Sequence, residues 1–92
     1  MMTIKKLTAH PYSQCHVEIA PNGGIYFYSY CTLVCCIDEG WLSCTGLYSM
    51  TTRKQIGWFL KEYASRITFQ MTKKCVEDSM KINIFTGEIV PE

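Results

Sequence analysis

The tetrapeptide Pro21-Asn22-Gly23-Gly24 constrains this chain more than any other stretch, because it is a strong turn signal between two β-like segments. Before it, Cys15-His16-Val17-Glu18-Ile19-Ala20 alternates. Cys15, Val17 and Ile19 share one face and His16 and Glu18 the other, the pattern of a half-buried strand. After it, Ile25 to Ile37 runs without Gly or Pro and is rich in β-branched and aromatic residues. The two segments read as a hairpin closed by a short Gly-rich loop. Asp38-Glu39-Gly40 marks the next turn, and Trp41 to Tyr48 reads as a third strand in which Gly46 marks a bulge. Three consecutive strands with short turns predict an antiparallel meander.

The period then changes. Ser49, Thr51 and Thr52 are candidate N-caps, whose side-chain oxygens can accept from free helix N–H groups. Beyond them Ile56, Phe59, Leu60, Tyr63 and Ile67 recur at helical spacing, within roughly 100° of one another at 100° per residue. Such a stripe covers one face of a sheet. Met71 to Met80 reads as a short second helix with Lys73, Lys74, Glu77 and Asp78 outward, and Lys81 to Val90 as an added strand or hairpin tail. The expected fold class is therefore α+β. It is a three- to four-stranded antiparallel meander packed by one main amphipathic helix, with a short second helix, in a single domain over residues 1–92.

Composition bounds the function classes. At 48% hydrophobic and 18% charged, the chain is too apolar for disorder. Its longest apolar run, Leu33 to Ile37, is far too short for a membrane span, so no membrane partner is expected. A net charge of +1 is much less basic than a dedicated nucleic-acid binder carries. Met1 to Lys6 has charge but no apolar stretch after it, unlike a signal peptide. The expected location is a reducing cytoplasm, where the six cysteines are expected as free thiols.

Half of those cysteines lie between Cys31 and Cys36. Cys31-x3-Cys35 loosely fits zinc-ligand spacing, but four residues along a strand span roughly 13 Å, whereas two thiolates on one zinc lie within about 4 Å. No metal and no cofactor is expected. On one continuous strand, Ile25, Phe27, Ser29, Cys31, Leu33, Cys35 and Ile37 share the core face, and Cys36 shares the other with Tyr26, Tyr28, Tyr30, Thr32 and Val34.

Tyr26, Tyr28 and Tyr30 are the first candidate partner-binding residues: a tyrosine row can form a protein hot spot, stack bases, or simply pack across strands. Trp58 falls opposite Ile56 on the helix wheel, beside Lys54 and Lys61, either as an aromatic anchor or packed under the C-terminal tail. Arg53, Lys54 and Lys61 give that helix a basic character, which serves a partner or is only a solvated face. Catalysis has little support. His10 and His16 have no nucleophile placed beside them, since the neighbours Cys15 and His16 point to opposite faces of a strand. The expectation is a protein that is not an enzyme.

Ser29-Tyr30-Cys31-Thr32-Leu33-Val34, followed by Tyr48-Ser49-Met50-Thr51-Thr52-Arg53-Lys54-Gln55-Ile56-Gly57-Trp58-Phe59-Leu60, resembles a family of small phage and prophage proteins of Gram-positive bacteria. The recurring patterns there are S-Y-x-T-x-V on a strand and Y-S-x-T-T-x-R-H-I-x-x-F-L at the start of a helix. The likeness covers Ile25 to Tyr63, and the family's His is Gln55 here. It implies an accessory protein acting by binding in the host bacterium, such as an inhibitor of a host defence protein of the CRISPR effector nuclease kind. The alternatives are a nucleic-acid-associated regulator and a structural homodimer module.

Overall fold

A computed structural model describes residues 2–45 and 50–92. Among these residues seven strands form one antiparallel sheet: β1 (Thr3–Lys5), β2 (Cys15–Ile19), β3 (Ile25–Ser29), β4 (Thr32–Asp38), β5 (Trp41–Cys44), β6 (Met80–Asn83) and β7 (Ile89–Pro91). Spatial order equals chain order, so the sheet is a meander throughout. Two helices, α1 (Met50–Tyr63) and α2 (Phe69–Asp78), are inserted between β5 and β6. The α+β class and the meander match the sequence patterns. The sheet has seven strands instead of three or four.

The Pro21-Asn22-Gly23-Gly24 turn forms as its residues dictate. Asn22 Oδ1 accepts from Gly24 N at 3.0 Å, and Gly23 takes φ 92°, a conformation that suits glycine. At Glu39-Gly40 both central residues have positive φ, 52° and 83°, which matches the right-handed twist of the flanking strands. A Cβ on Gly40 would also press on the Phe85 ring at 3.0 Å.

The segment from Ile25 to Ile37 corrects the reading of one continuous strand. It folds back at Tyr30-Cys31, with Ser29 paired to Thr32. Tyr30 adopts φ 57° there, and its N–H is held by Gln14 O at 2.7 Å. No Gly, Pro, Asn or Asp announces this turn. A second irregularity follows: Phe27 pairs with Cys35 and Tyr28 with Leu33, leaving Val34 as an extra residue. Together they overturn the simple parity. Cys31 is exposed at the loop and Tyr30 is 60% exposed beside it, while Val34 is fully buried.

Both helices pack on one face of the sheet. The core between these layers includes Val17, Phe27, Cys35, Ile37, Leu42 and Ile82 from the sheet, with Ile56, Phe59, Leu60 and Cys75 from the helices. Ile56, Phe59 and Leu60 are buried as their spacing predicts, and Ile67 is buried just beyond the end of α1. Thr51 and Thr52 correct the capping assignment: both lie inside α1, and Ser49 is outside the described residues, as are Gly46 and Tyr48. In α2, Thr68 is the N-cap, accepting from Met71 N at 3.3 Å, and Ser79 closes the helix in a left-handed conformation. The C-terminal segment is a hairpin, β6 with β7, paired to β5. Asn83 Oδ1 organises its turn by accepting from the backbone of Phe85 and Thr86.

Ser29 and Gln55 show how sheet and helix are keyed together. The Ser29 hydroxyl donates to Gln55 Oε1, and both residues are 4% exposed. Gln55→Ala leaves a buried hydroxyl unpaired and is expected to cost about 1–3 kcal/mol. Ser29→Ala combined with Gln55→Leu removes both partners and is expected to cost less than Gln55→Ala alone. Urea denaturation of wild type and the two variants checks this.

Candidate functional site

The face of the sheet away from the helices collects the side chains of interest. Register assigns them. Ile37 pairs with Leu42 and both are buried in the core, so the flanking pairs, Cys36 with Ser43 and Asp38 with Trp41, point outward. By the same alternation Tyr26 pairs with Glu18 on one side and with Cys36 on the other, and Tyr28 pairs with His16. The result is a band crossing the sheet from Ile4 through Glu18 and Tyr26 to Cys36 and Ser43. Tyr26, Tyr28 and Trp41 are each half-buried against their neighbours and half-open to solvent.

Two of these aromatics are held by neighbouring side chains. The His16 ring stacks on Tyr28 with centroids 5.1 Å apart and planes 4° from parallel, and His16 Nε2 lies 3.0 Å from Glu18 Oε2. Lys81 Nζ sits over the Trp41 ring at 4.9 Å. Trp41, Lys81, Cys36, Asp38, Ser43 and Glu92 line a shallow cleft of about 320 Å³. Cys15, next in sequence to His16, is buried in the core, so the two do point to opposite faces.

The sequence-selected residues divide into two groups that the fold keeps apart. Tyr26 and Tyr28 share the helix-free face, with Tyr30 at its border on the β3–β4 loop. Trp58, Arg53, Lys54 and Lys61 belong to α1, in the layer on the opposite side of the sheet. Trp58 is half-buried there and stacks on His10, with centroids 3.6 Å apart, while Lys54 Nζ lies 5.8 Å from its ring. The cover over Trp58 is thus the β1–β2 connection, not the C-terminal tail. Glu62 fastens the same connection: Thr8 N donates to Oε1 at 2.7 Å and Thr8 Oγ1 to Oε2 at 3.2 Å. Lys54 and Lys61 are exposed, and Arg53 is half-buried.

Trp41, Lys81, His16 and Glu18 join the face without having been selected. Trp41 was recoverable from parity, directly after Glu39-Gly40. Lys81 was not, because its place depends on β6 returning to β5 after two intervening helices.

The cysteine cluster sorts by environment. Cys31 is exposed, Cys35 buried and Cys36 intermediate. Burial, then the nearby Cys44, Asp38 and Glu92, push the Cys36 thiol above the usual range. It therefore stays protonated at neutral pH, and its reactivity rises only as pH climbs toward that raised value. Cys31 is expected to be alkylated first at neutral pH, Cys36 more slowly, and Cys35 last. Time-resolved mass spectrometry of alkylated peptides checks the order. The exposure of Cys31 corrects the reading that places it on the core face with Cys35.

Among the described residues no helix is long and apolar enough to cross a membrane. Searches of curated proteins and of solved structures returned no match to this chain. A family model described as a family of unknown function, DUF8033, matches residues 2–77. The chain belongs to that family.

Proposed function

We propose that this protein acts by binding another protein through the helix-free face of its sheet, as a phage-type accessory protein that blocks a host defence protein such as a CRISPR effector nuclease. The observation that carries the binding reading is the set of half-exposed aromatics, Tyr26, Tyr28 and Trp41, on a sheet face that neither helix covers. Aromatic residues presented by a rigid scaffold supply large contact area at low entropic cost, and they dominate protein hot spots. Charges of both signs, Glu18, Asp38 and Lys81, surround them, as in the polar rim of a protein interface.

The charge distribution favours a protein over a nucleic acid. Single-strand binders combine stacking aromatics with a basic groove on one surface. Here Arg53, Lys54 and Lys61 stand on α1, across the sheet from the tyrosines. The defence-inhibitor role rests on the resemblance of the strand and helix patterns to phage and prophage proteins.

The test is a plasmid-interference assay in a bacterium carrying an active CRISPR effector nuclease, with and without this chain. Wild type is expected to restore transformation by the targeted plasmid, and Tyr26→Ala/Tyr28→Ala to lose that effect. No restoration by well-expressed wild type across several effector types contradicts the inhibitor role. Restoration by wild type and variant alike contradicts the assignment of the face.

A further inference from the structure

Cys35 and Cys44 face each other directly across β4 and β5. Thr45 N donates to Val34 O at 2.9 Å. A bond between the residue after one cysteine and the residue before the other marks Cys35 and Cys44 as a non-hydrogen-bonded pair. Such pairs bring Cα atoms to about 4.5 Å with their side chains close. That spacing falls within the roughly 4.4–6.8 Å window that a disulfide requires. The two Sγ atoms lie 3.0 Å apart and are not bonded to each other. Cys35 is fully buried, whereas Cys44 is partly exposed at the edge of the core, so Cys44 is the more accessible of the two.

We propose that Cys35 and Cys44 form a reversible cross-strand redox pair, oxidised by low-molecular-weight disulfides of the glutathione type. The Cys44 thiolate attacks one sulfur of the reagent, the reagent's S–S bond breaks, and one thiolate leaves. Cys35 then gives up its proton to that thiolate or to water, attacks the Cys44 sulfur and expels the second thiolate. Two protein thiols are oxidised to one disulfide, and one reagent disulfide is reduced to two thiols. The order of the steps agrees with the local chemistry. The contact with Cys44, then burial, hold the Cys35 thiol well above the usual range, so Cys35 keeps its proton in the reduced state and acts second. The bond would tie the end of β5 to β4 on the helix-facing side, away from Tyr26 and Tyr28. The proposal is therefore independent of the binding reading.

The test is peptide mapping of the full chain after incubation with oxidised glutathione, with free thiols trapped by N-ethylmaleimide and the chain cleaved at Glu39, between the two cysteines. The expected product is a Cys35–Cys44 linked peptide that dithiothreitol separates. Exposed Cys31 carries a glutathione adduct as the internal control for reagent activity. Linkage of Cys44 to Cys36 or Cys75, or a glutathione adduct that persists on Cys44 in wild type, overturns the proposal. So do free Cys35 and Cys44 when Cys31 has reacted. In Cys35→Ala, which keeps a small apolar group at the buried position, the adduct on Cys44 is expected to accumulate. An unmodified Cys44 in that folded variant also overturns it.

Discussion

Phe59→Ala is expected to destabilise the protein by about 3–5 kcal/mol, the usual cost of removing a buried aromatic side chain. Phe59 is fully buried, and its ring stacks on Phe27 with centroids 4.6 Å apart and planes 12° from parallel. Its other neighbour is Tyr63, one helical turn on, at 5.3 Å. Removal takes away the Phe27–Phe59 stacking that, with the Ser29–Gln55 bond, seats α1 on β3, and it leaves a cavity. A domain of this size has a total stability of only about 5–14 kcal/mol, so the variant is expected to be partly unfolded or nearly so at 37 °C. Urea denaturation followed by circular dichroism measures the effect. A loss below about 1 kcal/mol would show that the two layers are held together elsewhere.

The second large effect concerns binding. Tyr26→Ala and Tyr28→Ala are each expected to weaken partner binding by about 2 kcal/mol or more, roughly 30-fold. Both side chains are half-exposed and sit on the face opposite the core, so their stability cost is expected to be small beside that of Phe59→Ala. Trp58→Ala is expected to behave in the reverse way. Its loss uncovers His10 and loosens the β1–β2 connection, lowering stability while leaving the tyrosine face and its binding intact.

Local chemistry made much of this fold legible. The hairpin at Asn22-Gly23, the turn at Glu39-Gly40 and the stripe Ile56, Phe59 and Leu60 all follow from residue types and spacing over fewer than about a dozen positions. The turn at Tyr30-Cys31 was not legible, because a tyrosine in a left-handed conformation is enforced by its surroundings, including the bond from Tyr30 N to Gln14 O. β1 escaped notice for another reason. Thr3, Ile4 and Lys5 are all exposed at the sheet edge, so no burial pattern marks them. Leu7, just beyond, is a core residue that gives no periodic signal.

The candidate face was half legible. Alternation placed Tyr26 and Tyr28 together with Cys36, and register bears this out across β3 and β4. Tyr30 and Val34 departed from the alternation because the loop and the irregularity at Val34 reset it. Trp58 was singled out from the helix wheel as an outward side chain. A wheel carries no information about a loop arriving from elsewhere, and His10 covers part of that ring. The contribution of Lys81 depends on a strand pairing formed only after both helices have been crossed.

The measurement that bears most directly on the central claim is the affinity of one purified partner for wild type and for Tyr26→Ala/Tyr28→Ala. The partner is the protein captured by the wild-type chain from a host lysate, and circular dichroism confirms that both forms are folded. Binding through the helix-free face predicts that the double variant loses at least about 30-fold in affinity, while Lys54→Ala/Lys61→Ala, altered on the other layer, binds much as wild type does. Equal affinity of the wild type and the folded tyrosine variant, with the loss found instead in Lys54→Ala/Lys61→Ala, would contradict it.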